Sequence, residues 1–182
     1  MKSYKEAKTG DIITRHVPFC WYKPNRYISA FIRFFTKSWA SHTAIFIDVW
    51  GEKMVLENDN SKTRLISFSN WAKDSFIVVS RDNSLTKIDK RLICVLAISE
   101  LGNTGYDYES IPAHIFYSIC GVWIGRTGEN SKGKKVCSEL IAFLYYQVKG
   151  YYKSWWKVTP KVIYEDDNFE VIYNGEAKKI IN

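Results

Sequence analysis

Two features of the chain predict an α+β fold built on an antiparallel sheet. Short strand-like runs follow one another with helix-like runs bunched before and after them, and the brief Trp50-Gly51-Glu52 connection between two of the strands marks a hairpin. The chain has 182 residues, enough for one domain that buries roughly 70% of its unfolded surface. A hydrophobic share of 46%, with 7 Trp, 12 Tyr and 10 Phe, excludes a disordered protein. No internal repeat or linker divides the chain, so residues 1–182 read as a single domain.

The elements follow in order. Asp11-Ile12-Ile13-Thr14 reads as a strand, and 26–37 as a helix whose Ile28, Phe31, Ile32 and Phe35 keep the i, i+3, i+4, i+7 spacing. The run from Ser41 through His42-Thr43-Ala44-Ile45-Phe46-Ile47 to Val49 is the next strand, and Lys53-Met54-Val55-Leu56-Glu57-Asn58 pairs back onto it. Phe76-Ile77-Val78-Val79-Ser80 is a β-branched strand followed by the turn Arg81-Asp82-Asn83-Ser84. Thr86 caps a helix, with Asp89 three residues on and Leu92, Ile93, Leu96 and Ala97 behind it, ending near Gly102.

Gly102-Asn103-Thr104-Gly105 is a loop. The weakly polar run 113–125 is shorter than the roughly 20 apolar residues of a membrane span and reads as a buried helix or pocket wall. The glycine-rich stretch 121–133 serves as a substrate-contacting lid or as an ordinary exposed connection. Cys137 opens a helix with apolar positions at Leu140, Ile141, Leu144, Tyr145 and Val148, and Thr159-Pro160 starts another. Phe169-Glu170-Val171-Ile172-Tyr173 is a closing strand before Asn174-Gly175. The aromatics between Tyr145 and Trp156 read as core, with an acyl groove as the alternative.

Cys137 and His42 carry the chemistry. A helix N-terminus and a neighbouring imidazolium each lower a thiol pKa, and the first turn offers unpaired N–H groups that can hold an oxyanion. The plain alternative for Cys137 is a small apolar residue at the start of a buried helix. His42 stands at the mouth of an otherwise apolar strand, where the alternative is a solvated structural histidine. About the hairpin, Glu57 falls toward the same end as His42 and can fix its tautomer. Asn58, Asp59 and Asp48 stay open as substitutes.

Cys20, Cys94, Cys120 and Cys137 form no C-x-x-C pair and no ligand spacing with the histidines, so neither a structural zinc nor any other cofactor is expected. Cys94 and Cys120, inside apolar runs, read as packing residues. The first eight residues hold no apolar signal core, which with the absence of a spanning run predicts a cytoplasmic protein with free thiols. The formal net charge of +7 predicts weak attraction to anionic polymers or a membrane surface. No aromatic-basic signature of a dedicated nucleic-acid site is present.

The ordered set Gly10-Asp11-Ile12-Ile13, Ser41-His42-Thr43-Ala44, Leu56-Glu57-Asn58, Tyr106-Asp107-Tyr108 and Cys137-Ser138-Glu139-Leu140 resembles the circularly permuted branch of the NlpC-type papain-like hydrolases. That branch includes the YiiX-like proteins and, more distantly, the lecithin retinol acyltransferase relatives; in it the histidine strand precedes the cysteine helix. The resemblance implies a permuted papain-like fold, an antiparallel barrel-like sheet packed against the helix that carries the nucleophile. It implies Cys137 as nucleophile, His42 as base and Glu57 as third member, with Tyr106 and Tyr108 near the substrate.

The activity it implies is amide hydrolysis through a thioester, on a cell-wall peptide or a related small-molecule, peptide or lipid-like acyl substrate. The alternatives are a lipid ester or thioester hydrolase or acyltransferase, and a silent binding protein on the same scaffold. Val136 and Ser138 flank the cysteine where the retinol acyltransferase group has Asn-Cys-Glu-His-Phe, which favours the YiiX-like side.

Overall fold

Alternating apolar side chains build six strands into one antiparallel sheet in the computed structural model, which describes residues 6–16, 33–34, 37–59, 62–73, 75–102, 107, 110–128 and 134–177. The strands are β1 (Ile12–His16), β2 (His42–Val49), β3 (Glu52–Asp59), β4 (Lys62–Ser67), β5 (Phe76–Arg81) and β6 (Glu170–Glu176), in the order β4-β3-β2-β1-β5-β6. The helices are α1 (Phe68–Ala72), α2 (Lys87–Glu100), α3 (Ile111–Cys120), α4 (Cys137–Lys149) and α5 (Pro160–Tyr164), with a 3-10 turn at Trp155–Lys157. The α+β class is therefore observed. Where a barrel-like sheet is expected, the described strands form a ladder with two ends, because β4 passes directly into α1 rather than pairing with β6.

The hairpin forms for a local reason. Trp50 and Gly51 both take positive φ, 53° and 88°, the geometry whose twist matches that of the flanking strands. Asp48 Oδ1 accepts the Gly51 N–H at 2.8 Å. The resulting register sets Ile45 opposite Leu56 and Val49 opposite Glu52. At the start of β1, Gly10 has φ 94° and a Cβ there would meet Leu85 Cδ1 at 2.6 Å. Asp11 takes two bonds from Arg81, at 2.9 and 2.6 Å, tying the start of β1 to the end of β5.

The sheet has an apolar set on each face. On one, Ile12, Ile45, Ile47 and Leu56 meet Leu140, Ile141, Leu144 and Tyr145 of α4, with Ile93 and Ala97 of α2 beside them. Each such fully buried side chain contributes about 1.5–3 kcal/mol, which holds α4 against β2 and β3. The Tyr145 hydroxyl donates to the Gly10 carbonyl at 2.7 Å and pins the helix to β1. On the other face Ala44, Phe46, Val55, Ile77 and Val79 meet Phe68, Trp71 and Ala72 of α1.

Several expectations change. The helix over 26–37 lies almost wholly outside the described residues, of which Arg33 and Phe34 are helical. The run 113–125 is no buried wall: α3 packs through Ala113 and His114, while Ile119 near its end and Val122 and Ile124 beyond it are exposed among the described residues. Cys120, on the same outer side, is exposed rather than packed. The last strand continues through Asn174-Gly175, which pair with Val78 and Ile77 and extend the ladder instead of ending it. Of the aromatics between Tyr145 and Trp156, Tyr145 and Trp155 are core, edge-on to Phe169 at 5.1 Å and to Phe143 at 5.3 Å, with Tyr151, Tyr152 and Trp156 packed against it, while Tyr146 is exposed. Strand β4 and helix α1 carried no clear signal in the sequence.

Candidate active site

Residue 137 stands at the first position of α4, where backbone N–H groups lack helical partners. Glu139 satisfies one donor nearby: its Oε2 accepts the Val136 N–H at 2.8 Å. The segment just before the helix is anchored by Lys135, whose carbonyl accepts Asn58 Nδ2 at 2.7 Å and whose Nζ meets Glu100 Oε2 at 3.0 Å. Asn58 thus holds the approach to Cys137 against β3. Asp59 binds Arg64 at 2.7 Å and Asp48 serves the turn, so of the four acids and amides considered, Glu57 is the one on the histidine.

His42 opens β2 on the α1 face and stacks on Trp71 with ring centroids 6.0 Å apart. Its Nε2–H donates to Glu57 Oε2 at 2.7 Å, which leaves Nδ1 for a second partner. Cys137 neighbours the ring, near enough that the thiol and the imidazole each shift the other's titration. The thiol belongs to a helix on the opposite face of the sheet, so the two side chains meet around the end of β2. Thr43, the next residue, favours the thiolate from its backbone and hydroxyl, and that buried hydroxyl has no hydrogen-bond partner among the described residues.

Glu57 is 1% exposed and saturated with donors. Arg64 gives Nε and Nη2 to Oε1 at 3.0 and 2.8 Å, while Trp71 Nε1 gives to Oε2 at 2.6 Å. Arg15 adds charge from 3.8 Å; its Nη1 donates to the Trp71 carbonyl at 2.8 Å and its guanidinium lies 4.5 Å over the indole.

These contacts decide the protonation states. Burial alone disfavours every charged form, yet the bonds and charges of His42, Arg15 and Arg64 hold the Glu57 carboxyl far below the usual carboxylate range. Burial also works against the imidazolium, but the Cys137 thiolate and the Glu57 carboxylate outweigh it and raise His42 to about 9. For Cys137, burial raises the thiol while the His42 charge and hydrogen bond and the Thr43 donors lower it, with a net shift downward. Both shifts run in the direction of a thiolate–imidazolium pair, with the carboxylate behind it.

The structure therefore brings together Cys137, His42 and Glu57. Tyr106 and Tyr108 lie outside the described residues; Asp107 between them is buried and donates its N–H to the Lys135 carbonyl at 3.4 Å. Sequence reasoning missed Thr43, Arg15, Arg64 and Trp71. Arg64 had a readable signal, since it sits directly opposite Glu57 once Lys62–Ser67 is recognised as a strand. Trp71 and Arg15 had none, because a short helix and a neighbouring strand bring them in. A second buried pair, His114 Nε2 to Glu139 Oε1 at 2.9 Å, joins α3 to the first turn of α4.

No family model matches the chain, and no curated protein does. Among solved structures it is similar to the crystal structure of the metalloprotein yiiX from Escherichia coli O157:H7, with a TM-score of 0.68 and 16% identity, over 93% of this chain and 98% of that one. At that identity the likeness shows the fold: a YiiX-like arrangement of the mixed α+β architecture. Among the described residues no group of three or more His, Cys, Asp and Glu side chains is arranged to hold a metal ion. Glu57, the acid of the cluster, has both oxygens filled by N–H donors, so this donor set does not fit a metal. No helix among the described residues is long and apolar enough to cross a membrane.

Proposed function

We propose that the chain is a cysteine hydrolase on a permuted papain-like scaffold, with Cys137 as nucleophile, His42 as acid and base, and Glu57 as the residue that orients the ring. One observation carries the reading: a buried sulfur at a helix N-terminus is electrostatically coupled to an imidazole that donates to a carboxylate held ionised. The cysteine helix follows the histidine strand in the chain, the order of the permuted branch.

The thiolate attacks the carbonyl carbon of an amide, forming a C–S bond. The oxyanion forms beside the unpaired N–H groups of the first turn of α4. His42 gives its Nδ1 proton to the leaving nitrogen as the C–N bond breaks. The thioester then takes water, whose proton goes to His42 and whose oxygen bonds the carbonyl carbon, releasing the acid and the thiolate. Glu57 keeps Nε2 protonated throughout, so the cycling proton stays on the nitrogen that faces sulfur.

A peptide amide of the cell-wall stem-peptide class is the proposed substrate. A second reading, hydrolysis of lipid esters or thioesters, draws on the exposed Ile119, Val122 and Ile124 at the end of α3, the helix that touches Glu139 two residues beyond Cys137. The test is mass spectrometry of products from purified stem peptides and from a panel of short- and long-chain acyl esters. Wild type should release a new amine, and trapping should show an acyl group on Cys137. Cleavage by Cys137→Ala at the wild-type rate removes the proposal. A preference for long-chain esters selects the second reading.

A further inference from the structure

We propose that the face formed by α2 and the β2–β3 turn docks the protein on an anionic lipid surface. The turn and the helix wall a single apolar groove of about 290 Å³, lined by Ile47, Val49, Trp50, Leu65, Ile98 and Leu101. Trp50 stands fully exposed at the tip of the hairpin. Along α2, Ile88, Leu92, Val95 and Ile98 follow at spacings of four, three and three, a stripe on one side of the helix; Ile88, Val95 and Ile98 are 75%, 62% and 65% exposed. Single exposed apolar residues are ordinary, but a contiguous set of this kind marks an interaction surface.

Charge says what the partner is. A second groove of about 350 Å³, sharing Asp48 with the first, is lined by Lys8, Lys53, Lys87, Lys90 and Arg91, with Asp48 as its one acid. Lys53 bridges that acid at 3.7 Å, and Lys87, Lys90 and Arg91 carry no ion pair among the described residues. An aromatic tip and an aliphatic stripe flanked by unpaired cations match an interface with acidic headgroups above and acyl chains below. A two-fold dimer through this face would bring the patch against itself, cation against cation.

The surface is independent of the proposed chemistry. Its aromatic tip lies at the turn end of β2, whose eight residues put Trp50 about 25 Å from His42 at the other end. Either reading can fail alone.

The test is sedimentation of the full chain with phosphatidylcholine vesicles containing about 30% phosphatidylserine, against pure phosphatidylcholine, at about 0.1 M and about 1 M salt. Wild type should bind the anionic vesicles at low salt and be released at high salt. The combined Lys87→Gln, Lys90→Gln and Arg91→Gln variant should bind about a hundredfold more weakly, and Trp50→Ala about tenfold, with far-UV circular dichroism confirming that both fold. The proposal is overturned if wild type ignores the anionic vesicles, or if both variants bind like wild type. A wild-type dimer that Val95→Ser dissociates, with vesicle binding unchanged, also overturns it and assigns the face to a second copy.

Discussion

Trp71→Phe isolates one bond of the site. The indole N–H reaches Glu57 Oε2 at 2.6 Å, the same oxygen that receives His42, and the site is buried. Phenylalanine keeps a ring beneath the Arg15 guanidinium and leaves the backbone carbonyl that Arg15 Nη1 uses, so the change removes one charge-assisted donor together with part of the indole's buried packing, which the cycle below cancels. A hydrogen bond to a charged group is worth about 1.5–3 kcal/mol. For a chain of this size that lowers Tm by about 3–12 °C, at about 2–4 °C per kcal/mol. The cost depends on the acceptor being ionised. Against Glu57→Gln the same N–H meets a neutral oxygen, where the bond is worth about 0.5–1.5 kcal/mol. A double-mutant cycle by thermal and urea unfolding should therefore show a coupling of about 1 kcal/mol between positions 71 and 57. A Tm for Trp71→Phe equal to that of wild type, or a coupling within about 0.3 kcal/mol of zero, would refute the picture of Glu57 as a buried carboxylate held by its donors.

Cys137 should react with iodoacetamide at mildly acidic pH, since its thiol titrates below the ordinary range, and His42→Ala should move that pH dependence upward, because burial then acts without the imidazolium against it. Hydrolysis should fall on the basic side near pH 9 as the imidazolium that protonates the leaving group is lost; a profile flat through that region argues against His42 as the acid. Asn58→Ala should cost about 1–3 kcal/mol in urea unfolding and slow the alkylation of Cys137, because it frees the Lys135 carbonyl that anchors the helix approach. Gly10→Ala should destabilise by about 1–3 kcal/mol, from the positive φ and the close Leu85 contact; a neutral result would show that β1 shifts to accommodate it.

Much of the site was legible because its members announce themselves locally. A cysteine ahead of a 3.6-period apolar run reads as the start of a helix, and a histidine ahead of an apolar run after a predicted helix reads as the mouth of a strand. Glu57 could be favoured over Asn58 and Asp59 only by its position at the end of an apolar run, and the structure shows why the distinction matters. Successive strand residues point to opposite faces, so Glu57 turns to His42 while Asn58 turns to Lys135. Thr43, Arg15, Arg64 and Trp71 escaped notice because each reaches the site from an element whose own pattern carries no chemistry. The exposed side of α3 departs from its sequence pattern for a related reason: apolar content by itself does not entail burial.

From the sequence alone came the types of most elements, though not of β4 and α1, the hairpin with its turn, the cap at Thr86, and the chemical identity of a thiol, an imidazole and an acid at element ends. Tertiary structure decided which acid the ring uses, which cations and indole hold that acid ionised, and that a sulfur on one side of the sheet meets a ring on the other around the end of β2. The division follows from the range of the forces. Periodicity and capping act within a few residues and are written in neighbouring letters, whereas the coupling of Cys137 to His42 exists only once α4 has buried its apolar face on the sheet and set the two termini side by side.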